Sequence, residues 1–432
     1  MTFNYNQLPA IKDQIKKCVR CGQCRMVCPV FAEIRNETVS PRGHVFMVQM
    51  LRDGKVQPSE DVYQHLGQCL LCETCTLNCP AGIKIHEMNA ASRSFIEQKN
   101  PHKRKNLVFD NMWSHPSRLK FTVSSIRRAQ STGLQSLADK LGIIKLMDKD
   151  LAKAQKILNN IPKRSALDQL RDYYPAIGEK KYTVGYFVGC ATNLLYPEIA
   201  LAMVNVLIHN GCDVVIPHDV NCCGMPHIAN GKIDLAETLA QHNIAIFENT
   251  KADYIVTDCA SCSAALKKST LQLLIANETW ADRVSAFSAK AMDLTSFLQD
   301  IVQLKEIPSE KITGITKKVT YHDPCHLVNA QKITQQPRAL LKLNPDVELV
   351  EMKNANRCCG GSGTYSMTHY ELSMKILKRK VDAIKATGAE IVATCCPSCS
   401  MQLRYGLDNN GLQKVKVVHV VEMINQLYPN AL

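Results

Sequence analysis

Eight of the twenty cysteines fall into two matched runs. Cys18, Cys21, Cys24 and Cys28 are followed by Pro29, and Cys69, Cys72, Cys75 and Cys79 by Pro80, each reading C-x2-C-x2-C-x3-C-P. Three thiolates two residues apart on one tight loop can each reach a different iron of a cubane, while its fourth ligand must come from elsewhere. Tetrahedral zinc also accepts four thiolates at CxxC spacing, but two matched runs each closed by Cys-Pro are not a zinc-ribbon pattern. Pairing all twenty cysteines in disulfides would require an oxidising compartment. The chemistry these residues point to is electron transfer through iron and sulfur.

In the two-cluster bacterial ferredoxins the fourth cysteine of each run ligates the other cluster. Two cubane 4Fe-4S clusters are therefore expected, one on Cys18, Cys21, Cys24 and Cys79, the other on Cys69, Cys72, Cys75 and Cys28. Sharing ligands in this way sets the two clusters close together. Forty residues separate Cys28 from Cys69, more than a compact ferredoxin needs. Within them Pro41-Arg42-Gly43 reads as a turn and His44 to Arg52 as an amphipathic helix, so a helical two-cluster module is expected over residues 1–96.

The remaining cysteines reveal an internal duplication. Cys190 pairs with Cys325 at an offset of 135, Cys222-Cys223-Gly224 with Cys358-Cys359-Gly360 at 136, and Cys259-x-x-Cys262 with Cys396-x-x-Cys399 at 137. Each copy opens with an apolar run, Tyr182 to Gly189 or Lys318 to Pro324, ending at its first cysteine. A helix, a second run (213–216 or 347–350), another helix, a third run (252–257 or 389–394) and the CxxC follow. Strands alternating with helices imply parallel βαβ units, whose ligand groups gather beyond the carboxyl ends of the strands. Five thiols can converge there in each copy. Adjacent cysteines could bind different irons, or one sulfur could bridge two. Cys212 has no counterpart in the second copy, and Cys395 aligns with Asp258, so both are expected to be structural rather than ligating.

The spacings C-x31-CCG-x34-CxxC and C-x32-CCG-x35-CxxC resemble the CCG domain found in the cysteine-rich subunit of heterodisulfide reductase and its relatives. With the two N-terminal runs, the architecture resembles the iron-sulfur subunit of glycolate oxidase and D-lactate dehydrogenases, and less closely the iron-sulfur subunit of anaerobic glycerol-3-phosphate dehydrogenase. Ser40-Pro41-Arg42-Gly43-His44 and the stretch from Cys358 to His369 carry the likeness to the glycolate oxidase branch. The likeness covers nearly the whole chain outside about 97–180. It implies an α/β protein with an N-terminal α-helical ferredoxin-like module and two duplicated βαβ-type CCG domains, at 181–305 and 316–432. It further implies one or two additional, non-cubane 4Fe-4S clusters in the CCG domains, held by Cys190, Cys222, Cys223, Cys259 and Cys262 and by Cys325, Cys358, Cys359, Cys396 and Cys399. The partner implied is an FAD-binding 2-hydroxyacid dehydrogenase subunit, with a further electron-transfer subunit or a membrane quinone as acceptor. A catalytic, heterodisulfide-reductase-like subunit reducing a disulfide or quinone at a CCG cluster is the alternative, and an iron-sulfur scaffold or sensor fits poorly.

His322 and His326 flank Cys325 and are the candidate catalytic proton donors beside a reduced cluster, against a plainer role bonding backbone or cluster sulfur. His218, His227 and His369 are weaker candidates. Gly224 and Gly360, directly after the cysteine pairs, are expected to let backbone approach a cluster. Gly360-Gly361-Ser362-Gly363 matches neither a Walker nor a dinucleotide fingerprint, so no flavin or nicotinamide is expected in this chain. From Arg93 to Lys181 there are 19 Lys and Arg against 8 Asp and Glu, a net of +11 within a chain total of +13. The basic helical linker at 97–180, including a short amphipathic helix at 151–158, could meet an acidic partner or an anionic membrane, or simply form a solvated face. No motif supports nucleic-acid binding.

At 432 residues, with 46% apolar and 21% charged side chains, the chain can build two or three real cores, which excludes disorder and collagen-like architecture. Its longest apolar stretch, Ile199 to Ile208, falls short of the roughly 20 residues a membrane span needs. Met1-Thr2-Phe3-Asn4 does not open a secretory signal, so a cytoplasmic protein, peripheral on the inner face of the membrane if attached at all, is expected.

Overall fold

The computed structural model of the chain describes residues 12–141, 152–153, 155–158, 161–304 and 314–432. Its N-terminal region is helical. The Cys-Pro pairs that end the runs act as local punctuation: Cys28 caps the helix Pro29–Ile34, its sulfur accepting from the Phe31 N–H at 3.4 Å, with Pro29 at the first helical position. The helix expected from His44 begins earlier, at Pro41, and runs to Arg52. Pro41-Arg42-Gly43 is thus its first turn rather than a separate one. Ser40 supplies the cap, its hydroxyl accepting from the Gly43 N–H at 3.0 Å, and proline is tolerated where the helix needs no donor. Helices Glu60–Gly67 and Ile85–Lys99 complete the module, and Val48, Leu66, Met88 and Ile96 lie fully buried between them.

The duplicated part forms two sheets of matching topology. In the first copy β1 (Tyr173–Tyr174), β2 (Tyr182–Tyr186), β3 (Cys212–Val215), β4 (Tyr254–Thr257) and β5 (Ala291–Asp293) are ordered β1-β3-β2-β4-β5. All pairs are parallel except β1 with β3. In the second copy β6 (Lys317–Tyr321), β7 (Val347–Leu349), β8 (Ile391–Thr394) and β9 (Lys416–His419) are ordered β7-β6-β8-β9, all parallel. Removing β1 leaves the same order in both. The central strands read as apolar runs because helices cover both faces: Val184, Val214, Val256, Val319, Val392 and Ala393 have no exposed surface. The apolar stretch at 199–208 lies in the helix Pro197–His209, packed into a core that runs continuously through both copies. Among the described residues no helix is long and apolar enough to cross a membrane.

The basic segment between module and sheets folds as a helix Lys103–Val108, a π-turn Phe109–Trp113 and helices Pro116–Ser131 and Leu134–Lys140. The helix Pro116–Ser131 buries no residue and carries Arg118, Lys120, Arg127 and Arg128. Of the helix expected at 151–158, Leu151 and Ala154 lie outside the described residues, and Gln155–Ile157 forms a single 3-10 turn.

Candidate iron-sulfur centres

The fold gathers the eight cysteines of the two runs in the exchanged sets. One cavity is lined by Cys18, Cys21, Cys24 and Cys79, and a second by Cys28, Cys69, Cys72 and Cys75. Left-handed backbone at Gly22, Leu71 and Glu73 bends each loop so that its thiols turn inward. Among the described cysteines none is disulfide-bonded, and each cavity presents four sulfurs as its donor set, which fits a 4Fe-4S cubane. Cys21 is exposed, whereas in the second site Cys72 and Cys75 are buried and Cys28 and Cys69 half-buried, so the first site is the more open to solvent. Burial pushes the Cys28 thiol up to about 12 and raises Cys24 and Cys75 as well. Iron must therefore displace protons on binding.

In each CCG copy the five sulfurs form a chain of contacts beyond the strand ends, where the sequence places them. Cys190 meets Cys222, Cys222 meets Cys223, Cys223 meets Cys262, and Cys262 meets Cys259. The second copy repeats this through Cys325, Cys358, Cys359, Cys399 and Cys396, with Cys359 and Cys399 3.6 Å apart. Cys223 sits between two thiols, Cys222 and Cys262, which hold it well below the usual thiol range; Cys358 and Cys399 do the same for Cys359. Gly224 and Gly360 both adopt φ +86°, turning the chain sharply after each cysteine pair, and the Gly360 N–H points at the Cys358 sulfur at 3.4 Å. The five thiols of each copy suit iron-sulfur chemistry, and in the second copy a ring nitrogen of His322 lies within 4.8 Å of the Cys359 and Cys399 sulfurs.

Cys212 and Cys395 stand apart from these chains. Cys212 opens β3, buried, with its sulfur near the Asn210 carbonyl. Cys395 receives the Tyr321 hydroxyl at 3.4 Å, as its counterpart Asp258 receives Tyr186 at 3.1 Å. Burial lifts the Asp258 carboxyl to about 6.

The four sites stand in file. Cys24 and Cys28 of the first run adjoin Cys75 and Cys69 of the second. Cys72 in turn adjoins Cys325. The second CCG copy clasps the loop 68–74 around that contact. Tyr365 donates to the Gln68 carbonyl at 2.9 Å, Ser362 to Leu70 at 2.7 Å, and Asn329 to Cys72 at 2.8 Å. Cys396 then meets Cys259 of the other copy, beside an Ala260 N–H to Cys395 carbonyl bond of 3.0 Å. The first copy ends the file, with the Trp113 indole of the linker set against Cys190.

His326 lies at the junction of three sites: it neighbours Cys325, its Nδ1 pairs with the Ser261 hydroxyl at 3.0 Å and its Nε2 donates to the Leu71 carbonyl at 3.3 Å. Both His322 and His326 are buried away from solvent. His227 is buried against Phe109 of the linker and the Ser114 hydroxyl, His369 stacks on Tyr365, and His218 pairs with Asp172 at the surface. The order of the sites and the capping role of Trp113 have no local sequence signal, since both arise from docking of distant segments.

Three known families match parts of the chain. A 4Fe-4S dicluster domain matches residues 14–83, a cysteine-rich domain matches 184–267 and 319–404, and the linker region of the glycolate oxidase iron-sulfur subunit matches 102–158. The chain is 33% identical to the Bacillus subtilis protein named "Probable glycolate oxidase iron-sulfur subunit", over 95% of this chain and 93% of that one. It is 31% identical to lactate utilization protein A of an Exiguobacterium species over 56% of this chain and 97% of the relative. It is 25% identical to a fumarate reductase (CoM/CoB) subunit of Methanothermobacter marburgensis over 96% of this chain and 73% of the relative. The cysteine runs, the duplicated CCG sheets, the intervening linker and 33% identity over nearly the full length together make this chain a member of the glycolate oxidase iron-sulfur subunit family.

Proposed function

We propose that this chain is the electron-transfer subunit of a flavin-dependent 2-hydroxyacid dehydrogenase acting on D-lactate or glycolate, with the hydroxy acid oxidised on a separate FAD-binding subunit. The observation that carries this reading is the file of four sulfur-lined sites, which has one exposed end at Cys21 and runs to Cys190 under the linker. Bound 4Fe-4S clusters, two cubane and two of the CCG type, would supply one-electron carriage. The chain's own part is to hold eighteen thiols (Cys18 to Cys79 in two exchanged sets, and five in each CCG copy) so that successive sites lie near one another, to keep most of those thiols out of water, and to tune each site by nearby charge. Electrons enter at the Cys21 end and leave from the CCG end to an acceptor such as a membrane quinone, the complex resting peripherally on the inner face of the membrane.

The complex purified anaerobically with its flavoprotein tests this. Adding D-lactate or glycolate is expected to bleach the cluster absorption, with about sixteen irons per chain, four for each 4Fe-4S cluster. Absence of bleaching with flavin present would sink the reading. The complete five-cysteine set in both copies favours one rival, a catalytic subunit reducing a disulfide or quinone at a CCG centre; turnover of a disulfide by the isolated chain would decide for it.

A further inference from the structure

The two CCG copies differ at one backbone position that faces a sulfur site. β2 ends at Tyr186 and is followed by Phe187; β6 ends at Tyr321 and is followed by His322. The positions are structurally equivalent. The Phe187 N–H donates to the Val256 carbonyl and the His322 N–H to that of Ala393, each at 2.9 Å, one residue beyond the strand pairing. Phe187 is fully buried against Phe247, ring centroids 6.0 Å apart. His322 is just as buried, at 0% exposure, yet neither of its ring nitrogens has a nitrogen or oxygen partner. Leaving a buried polar group in that state is costly, and the first copy builds the same corner with a phenyl ring. The fold alone gives no reason for an imidazole here.

What the imidazole does face is sulfur. A ring nitrogen of His322 and the sulfurs of Cys359 and Cys399 all lie within 4.8 Å of one another, buried, in a grouping suited to a metal ion. We propose that His322 is an iron ligand of the second CCG site, adding a neutral imidazole nitrogen to its thiolates, so that the duplicated sites hold centres with different donor sets. Among the described residues the first copy, with Phe187 in that place, forms no such grouping. An imidazole nitrogen is a different donor from a thiolate, and clusters with histidine ligands sit at potentials apart from their all-cysteine counterparts. The two CCG centres are therefore expected at different potentials. The proposal rests on the CCG sites holding iron, but not on which hydroxy acid or acceptor the complex uses.

The test needs no substrate. The full chain, labelled with 15N-histidine and poised oxidised or reduced with dithionite, is examined by pulsed electron-nuclear spectroscopy. A strong 15N coupling on one signal is expected, lost in His322→Phe and retained in His326→Gln. The same His322→Phe protein, with iron and sulfide counts checked against the parent, is expected to shift the midpoint potential of that signal by at least about tenfold in the reduction equilibrium, about 59 mV for one electron. No coupling in either state, a coupling that survives His322→Phe, or only the weak coupling of a hydrogen bond to sulfur would overturn the proposal. So would a stoichiometric zinc in place of iron at this site. The direct coupling in the unmodified chain keeps the test decisive even where the phenylalanine variant fails to assemble.

Discussion

Lys380 is a buried cation, 4% exposed, whose ammonium donates to the Asn354 and Ala355 carbonyls at 2.8 and 3.0 Å. It lines one cavity with Cys28 and Cys358, and burial lowers its pKa to about 8. In the helix Ile233–Glu248 of the first copy the equivalent residue is Asn243, which holds the Cys222 carbonyl at 3.1 Å and carries no charge. Duplication thus provides an internal control: the same helix face supports one sulfur site with a charge and the other without. A unit charge at about 10 Å and an effective dielectric of about 20 is worth about 1.7 kcal/mol, somewhat more than tenfold in an equilibrium. Lys380→Asn is accordingly expected to lower the potential of the second CCG centre by about 60 mV or more, leaving the first unchanged. Redox titration followed by electron paramagnetic resonance reads this, and an equal shift of both CCG signals would count against it.

At the scale of the element, ligand loops are legible in sequence because their geometry is local. A CxxC spacing closes its own loop, and proline after cysteine marks where the next helix starts, as at Cys28-Pro29. The same holds for the strands that precede the ligands, whose apolar runs stand out because both faces are buried. The strands at the sheet edges are less legible. Tyr173–Tyr174 and Ala291–Asp293 are too short to show a period, and their pairing with β3 and β4 depends on tertiary contact. The start of the helix Pro41–Arg52 is also hidden, because Pro-Arg-Gly is turn-like in isolation and only the Ser40 cap converts it to a first helical turn. Gly43 is needed there for space: a Cβ on it would lie 2.1 Å from the Glu37 carbonyl oxygen. Gly43→Ala is expected to destabilise the module by about 1–3 kcal/mol, read as a lower melting temperature, and an unchanged one would show that the 37–43 turn gives way freely.

Across the whole molecule, burial rather than pairing governs most of the titration. His44, His227 and His419 are buried and held neutral, their pKa values lowered from 6.5 to about 3, 4 and 4 by removal from water. Because the folded values lie below the unfolded one, the stability they contribute is fully present above about pH 6.5. It is lost as pH falls toward 4, since the unfolded chain takes up protons that the folded chain refuses. Each group contributes about 1.4 kcal/mol per pH unit inside that window. Thermal unfolding between pH 6.5 and 5 should show this slope, and His419→Gln should reduce it; an identical slope would mean that other groups set it.

The identity of the ligands can be read from spacing, but their succession in space cannot, because it follows from how the second CCG copy docks on the loop 68–74. That docking bears on how the protein is made. With Cys79 grouped beside Cys18 to Cys24 and Cys28 beside Cys69 to Cys75, the first N-terminal site lacks its full donor set until residue 79 has left the ribosome, and the second until residue 75 has. The second of them is then closed over by Asn329, Ser362 and Tyr365, which are synthesised some 250 residues or more later. Between those two moments the inner site is complete and uncovered. Delivery of its iron and sulfide belongs to that interval of biosynthesis, and a chain that folds its last domain first would seal the inner site before it is filled.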